Sequence, residues 1–234
     1  MIESEKQPSN SDIVAAAALT LAGESGWRSL SMGDIALAAG ISLAELSRCF
    51  ASRYEILDGF ERMMDRRMLD GAAAGDINDQ PRDRLFDIIM ERLEAMAPYR
   101  DGLGRVAKEV PFDPPSGLVL AAALPRAISW MFAGARIDIG GPLMPLKLAV
   151  LGGIYMSVVR VWFQDNDPDL AKTMAALDRG LDRAKTLLGG EFGPTRPAEP
   201  TPTEGPVAET QPEPEPPVRT AKKTKSPPPD VELD

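Results

Sequence analysis

The sequence predicts an all-α protein with a small three-helix helix-turn-helix domain over residues 11–70. A larger helical bundle follows over 81–188, and then a disordered tail over 189–234. Three observations carry this reading. Ser31, Ser42 and Ser52 are each followed three residues later by an acid, Asp34, Glu45 and Glu55. In such a box the serine oxygen and the carboxylate satisfy backbone N–H groups left open at a helix start. Between 81 and 188, apolar residues recur at the three- and four-residue spacing of a buried helix face. Beyond 189 the composition changes: twelve of the chain's 22 prolines lie there, interleaved with Glu and Thr. A tail of that kind buries too little apolar surface to fold.

Residues 1–10 are polar and acidic, unlike a signal peptide, and read as a disordered arm. Ser11 is placed to cap a helix over 12–24, with Ile13, Ala16, Ala17, Thr20 and Leu21 at helical spacing. Gly26 ends it. Trp27 either packs beneath the next helix or offers an aromatic face to a ligand. Helices opening at Ser31 and Ser42 enclose the turn Ala39-Gly40-Ile41-Ser42. Gly40 can adopt the left-handed conformation that stops a helix, and Ile41 can plug the corner. Helix, tight turn, helix is a helix-turn-helix, whose second helix enters the DNA major groove in its usual use. With Leu46 and Phe50 inward, that helix exposes Leu43, Ala44, Ser47 and Arg48. A fourth helix over 53–69 carries the stripe Ile56, Leu57, Phe60, Met63, Met64 and Met68, and joins the small domain to the rest. Residues 71–80 break the pattern and mark a boundary.

Pro81 suits the first turn of a helix over 82–96, with Leu85, Phe86, Ile89, Met90, Leu93 and Met96 on one side. Pro98 ends it, and a shorter helix covers 99–108. Residues 111–115 read as a rigid loop, and Ser116 restarts the helix. The stretch 118–132 is nearly all apolar, with Pro125 as a kink. After a Gly- and Pro-rich loop over 137–145, residues 146–163 are again apolar nearly all round, the mark of a helix buried on most sides. Asp167 and Pro168 open the last helix, 170–188, with Met174, Leu177, Leu181 and Ala184 inward. Met90, Met131, Met144 and Met156 are soft and adaptable. An apolar pocket lined from Phe86, Met90, Trp130, Met131 and Tyr155 is one reading of this bundle. Plain core packing with a dimer face is the other.

Composition excludes several chemistries. The chain has no histidine and one cysteine, Cys49, so intrachain disulfides, Cys/His zinc sites and a histidine base are all excluded. Cys49 itself reads as a half-buried small residue or as a reactive thiol. Gly140-Gly141 and Gly152-Gly153 lack the strand and helix that would make either a phosphate loop. The carboxylates are scattered. No catalytic residue, no metal ligand and no cofactor is expected, and the low cysteine usage suits a reducing cytoplasm. The longest strongly apolar run, 148–159, is short for a bilayer, so no stable membrane span is expected. The net charge is −9, and residues 1–70 hold seven Lys/Arg against eleven Asp/Glu. Any DNA contact must therefore come from a local surface. Lys222-Lys223-Thr224-Lys225 is a small basic cluster in the tail, able to touch DNA or an anionic membrane, or merely solubilising.

The pattern Val14-Ala15-Ala16-Ala17-Ala18-Leu19, Gly26-Trp27, Leu30, Ile35-Ala36, Ala39-Gly40-Ile41, Leu46, Phe50 and Ile56-Leu57 resembles the DNA-binding domain of TetR-type transcriptional regulators over residues 12–68. The resemblance implies a TetR-like fold and a homodimer formed by the last two long helices, 146–163 and 170–188. It implies a double-stranded DNA operator and a ligand domain responsive to an apolar small molecule or lipid. It also implies DNA contacts from Ser31, Ser42, Leu43, Ala44, Ser47, Arg48 and Arg53. Arg53 stands where that family commonly has Lys, and Ser47 and Cys49 stand where it commonly has aromatics. Arg48 and Arg53 read equally as solvated surface charges. Separately, RDRLFDIIMERLEAM, PPSGL, SWMFAG, LKLAVLGGIYMSVVRVW and QDNDPDLAKTMAALDR resemble the lipid-binding accessory protein of ubiquinone biosynthesis over 82–188. That family is implied to share the fold, to have lost DNA reading and to present an isoprenoid lipid to a hydroxylase. Two functions follow: a ligand-responsive dimeric regulator, or a lipid-presenting accessory protein. A module that acts through the tail is a third.

Overall fold

The computed structural model describes residues 9–72 and 79–187. Nine α-helices lie among the described residues: α1 (Asn10–Ser25), α2 (Met32–Ala38), α3 (Leu43–Cys49), α4 (Arg53–Ala72), α5 (Pro81–Met96), α6 (Arg100–Glu109), α7 (Pro114–Gly134), α8 (Met144–Trp162) and α9 (Ala171–Leu187). Single 3-10 turns, Ala97–Tyr99 and Val110–Phe112, join α5 to α6 and α6 to α7. No strand occurs among the described residues. Most of the predicted N-terminal arm, the heart of the predicted boundary and the predicted tail with its basic cluster lie outside them.

α1 opens two residues earlier than predicted. Ser9, not Ser11, is the cap, and its Oγ accepts the Asp12 N–H at 3.2 Å. The inward face is also rotated: Val14, Ala15, Ala18, Leu19 and Ala22 are buried, and Ile13 is exposed. The reason is tertiary, since α1 packs against both α4 and α6, and two neighbours demand a wider face than one period of a helix supplies. α4 is the spine. It packs on α1, α5 and α7, and its stripe Ile56, Leu57, Phe60, Met63, Met64 and Met68 is buried as predicted.

α7 begins at Pro114, so the predicted loop over 111–115 is replaced by a 3-10 turn and the first turn of a helix. Proline suits that position, because it lacks the N–H that a helix start leaves unpaired. Pro125 sits inside α7 without ending it. At the other end, Asp165 rather than Asp167 fastens α9. Its buried carboxylate accepts the Thr173 N–H and hydroxyl, each at 2.8 Å. Leu177, Leu181 and Ala184 of α9 are buried, and α8 packs along this helix.

α7 and α8 each have the length and apolarity of a membrane span, with a mean hydropathy of 1.4. α8 is thus longer than the run 148–159 suggested. Within this fold both are bundle helices. Arg126, midway along α7, pairs with Asp58 and Asp65 of α4, and α8 lies on α9. One continuous core runs from α1 to α9.

Candidate DNA-reading surface and ligand cavity

The helix-turn-helix is built by its caps. Ser31 Oγ accepts the Asp34 N–H at 3.1 Å, and Asp34 Oδ2 accepts the Ser31 N–H at 3.0 Å and its hydroxyl at 2.6 Å. Ser42 and Glu45 repeat this at 3.1, 2.9 and 2.7 Å. These bonds from Ser31 and Ser42 hold both carboxyls below their ordinary range. The third box is different: the Glu55 N–H reaches Ser52 Oγ at 3.3 Å, but the Glu55 carboxylate turns to the Ala51 N–H at 2.8 Å. Gly40 has φ +68°, and the Gly40 and Ile41 N–H groups close on Leu37 O and Ala36 O at 3.1 Å. This is the left-handed helix stop.

Leu46 and Phe50 are buried, and Ser42, Leu43, Ala44, Ser47 and Arg48 are exposed along one face of α3. Arg48 has no ion-pair partner among the described residues. Ser47 Oγ donates back to Ala44 O at 2.8 Å, and the Ser31 and Ser42 hydroxyls are engaged in their caps. Cys49 is half-buried. Arg53 is held inward instead of projecting freely. Its Nη1 donates to Arg28 O at 2.9 Å, and its Nη2 lies 3.4 Å from Asp113 Oδ2.

Around Arg53 the small unit is latched to the bundle. Trp27 Nε1 donates to Ser116 Oγ at 2.8 Å, and Ser116 Oγ donates to Asp113 Oδ2 at 2.8 Å. Tyr54 OH donates to Asp113 Oδ1 at 3.3 Å, and the Arg28 N–H to Glu109 Oε2 at 2.8 Å. Trp27 is therefore fully buried, as packing required, and also hydrogen-bonded across to α7.

Beside this latch lies an apolar cavity of about 400 Å³. α6 lines it with Leu103, Val106 and Ala107, α7 with Gly117, Leu120, Ala121, Leu124 and Ala127, and α8 with Tyr155, Met156 and Val159, joined by Phe163 at its C-cap. Val110 and Gly117 flank the latch residues Asp113 and Ser116 in the chain. Of the five residues predicted to line a pocket, the cavity gathers Tyr155. Met131 is wholly buried in the core, Met90 is buried on α5, Phe86 is half-buried against the core and Trp130 is 46% exposed.

The cavity's polar end comes from Glu61 and Arg92, which sequence reasoning did not single out. Arg92, fully buried, donates from Nη2 to Glu61 at 2.7 Å, from Nη1 to Asp65 at 2.6 Å and from Nε to Tyr155 OH at 3.1 Å. Arg126 adds a bond to Asp65 at 3.1 Å and one to Asp58 at 2.8 Å. Desolvation pushes the Glu61 carboxyl up against the opposing pull of Arg92, and it also raises the Tyr155 phenol. Burial works against the Arg92 cation, but Tyr155, Glu61 and Asp65 outweigh it and hold the proton firmly. Among the described residues, no group of three or more His, Cys, Asp or Glu could hold a metal ion.

Helix-turn-helix, spine helix and cavity-bearing bundle together define the fold of a TetR-type regulator. Residues 14–59 match the model of the bacterial regulatory proteins of the tetR family, and residues 146–188 match the COQ9 model. Solved structures of the same fold include a TetR regulator from Nitrosomonas europaea ATCC 19718, at TM-score 0.63 and 23% identity over 76% of this chain and 99% of that one. Another, from Rhodococcus sp. RHA1, gives 0.54 and 18% over 77% and 97%. A third, from Streptomyces coelicolor, gives 0.53 and 12% over 76% and 82%. At these identities the likeness is one of fold. No curated protein matches the chain.

Proposed function

We propose that this protein is a non-enzymatic, homodimeric transcriptional regulator of the cytoplasm that reads a palindromic operator through α3 and releases it when an apolar ligand fills the cavity. The observation that carries the reading is α3 itself. Both capping boxes and the Gly40 stop are formed, and the exposed face of α3 makes only hydrogen bonds within its own helix and cap among the described residues, with Arg48 unpaired there. Leu43, Ala44, Ser47 and Arg48 would face base edges and phosphates, with Ser31 and Ser42 shaping the helix starts.

The latch supplies the coupling. Asp113 and a DNA phosphate compete for Arg53. A ligand against Val110 and Gly117 alters the turn that carries Asp113 and Ser116, and so the grip on Arg53 and Trp27. Ligand and DNA then weaken each other's binding by the same factor, as linkage requires. Pairing of two copies would use the exposed apolar positions of α8 and its approach, Leu143, Met144 and Leu146, with Trp130 of α7 nearby in the chain. The exposed positions of α9 include Lys172, Arg179 and Arg183, so α8 would carry most of the contact.

The test is capture of genomic fragments on the purified full chain at physiological salt, alongside Arg48→Glu. One palindromic site, retained by the native chain and lost by the variant, supports the reading. A second reading is favoured by the COQ9 match over α8 and α9 and by the acidic DNA unit: a lipid-presenting accessory protein. No enriched site, together with a co-purifying isoprenoid in the organic extract, would favour it.

A further inference from the structure

We infer that the cavity takes an amphiphile with an anionic head, a carboxylate or phosphate ester. Its chain lies between α6, α7 and α8, and its head sits at the mouth among Arg105, Lys108 and Arg160. The inference rests on the reading of the cavity as a ligand site. Ala107 and Phe163 belong to the cavity wall and also to two surface grooves. One groove, of about 820 Å³, is lined by Arg105 and Lys108 together with Arg100, Asp101 and Asn166. The other, of about 580 Å³, carries Arg160, Ser157 and Gln164, and shares Met156 and Val159 with the cavity as well.

The charges at the mouth are available. Arg105, Lys108 and Arg160 are exposed, and none makes a hydrogen bond or ion pair among the described residues. Arg100 is committed to the backbone oxygens of Trp162 and Asp165. Among the described residues, Asp101 is the one carboxylate lining either groove. In a chain of net charge −9, the two grooves that share Ala107 and Phe163 with the lipophilic cavity carry Arg105, Lys108 and Arg160 against the single carboxylate of Asp101. The inner end offers an anion nothing comparable, because Arg92 is already paired with Glu61 and Asp65. An alkyl chain gains by leaving water for this lining, and a charged head gains only where cations meet it at the rim.

The experiment is calorimetric titration of the full chain with dodecanoate, dodecyl phosphate, dodecanol and dodecyltrimethylammonium, each below its micellar concentration. The two anions should bind about tenfold or more tighter than dodecanol, which corresponds to about 1.4 kcal/mol. The triple variant Arg105→Gln, Lys108→Gln, Arg160→Gln should lose that advantage and keep dodecanol binding. Leu124→Trp, which fills the cavity, should abolish binding of all four. Dodecanol or the ammonium binding as tightly as the anions would overturn the head-group assignment and leave the cavity reading standing. Anion binding that survives Leu124→Trp would show surface adsorption and overturn it too. Failure of all four probes on the native chain would bring down the cavity reading itself.

Discussion

At the scale of single residues, the decisive side chains are the charges buried where apolar ones belong. Arg92 falls in line with Leu85, Ile89 and Met96 on the inward face of α5, and Glu61 with Leu57, Met64 and Met68 on α4. Removing one partner of such a network strands the others. Arg92→Met should cost about 3–5 kcal/mol, because it leaves Glu61 and part of Asp65 unpaired in the interior. Urea unfolding will read it, and adding Glu61→Leu should recover part of the loss. Burial gives Glu61 a raised carboxyl value, so the folded chain keeps that proton to higher pH than the unfolded chain does. Its contribution to stability is therefore present at low pH and falls as pH climbs from about 4.5 through the raised value. Glu61→Gln should flatten the stability–pH curve in that window, and an unchanged slope would refute the assignment. Asp113→Asn, which removes the carboxylate that competes for Arg53, should leave DNA affinity equal or higher and blunt its release by dodecanoate. Fluorescence anisotropy on the captured operator measures both. The sequence did carry a sign of this network, since an arginine and a glutamate at stripe positions of two adjacent helices contradict the amphipathic pattern. Of the methionine and aromatic positions Phe86, Met90, Trp130, Met131 and Tyr155, only Tyr155 lines the cavity. Cavity walls are made by helices from distant parts of the chain, and no local period reports which helices meet.

At the scale of elements, the helix starts were legible because a cap is a local device: Ser31–Asp34 and Ser42–Glu45 lie three residues apart and need no tertiary help. The face of α1 was less legible because two neighbours, α4 and α6, decide it. Two glycines separate these kinds of constraint. Gly40 has φ +68°, and a Cβ there would meet nothing within 4 Å, so its demand is purely conformational. Gly40→Val should cost about 1–2 kcal/mol through backbone strain, with the rest of the fold intact. A Cβ on Gly102 would lie 1.9 Å from Leu19 O, so this glycine lets α6 touch the backbone of α1. Gly102→Ala should prise α1 from α6 and cost more than the substitution at Gly40, although alanine is the better helix former. Thermal unfolding of the two variants ranks them, and the reverse order would show that α1 and α6 are not held by this contact.

For the whole molecule, charge sets how DNA can be bound. A chain of net charge −9, whose reading unit is itself acidic, repels the duplex at long range. On the proposed reading, binding relies on base-edge contacts from α3 and a few phosphate contacts, with Arg48 and a released Arg53 as the cations on and beside that helix. Two copies, as proposed, would supply four such groups. Each phosphate neutralised adds roughly 0.9 to the magnitude of the slope of log affinity against log salt. The operator complex should therefore show a slope of about −4 or shallower, where a strongly basic reader would reach about −6 to −9. Arg48→Gln in both copies should cut the magnitude by about two and weaken all sequences alike, as expected for phosphate contacts. If it relaxes preference at one base pair instead, Arg48 reads a base edge. A slope as steep as that of a basic reader would mean that further cations hold the DNA, and the exposed Arg28 and then Lys222, Lys223 and Lys225 of the sequence are the next to change. On the proposed function the same acidity is useful, because weak general affinity leaves more of the binding energy in the sequence-specific contacts, where a change at Arg53 would switch it.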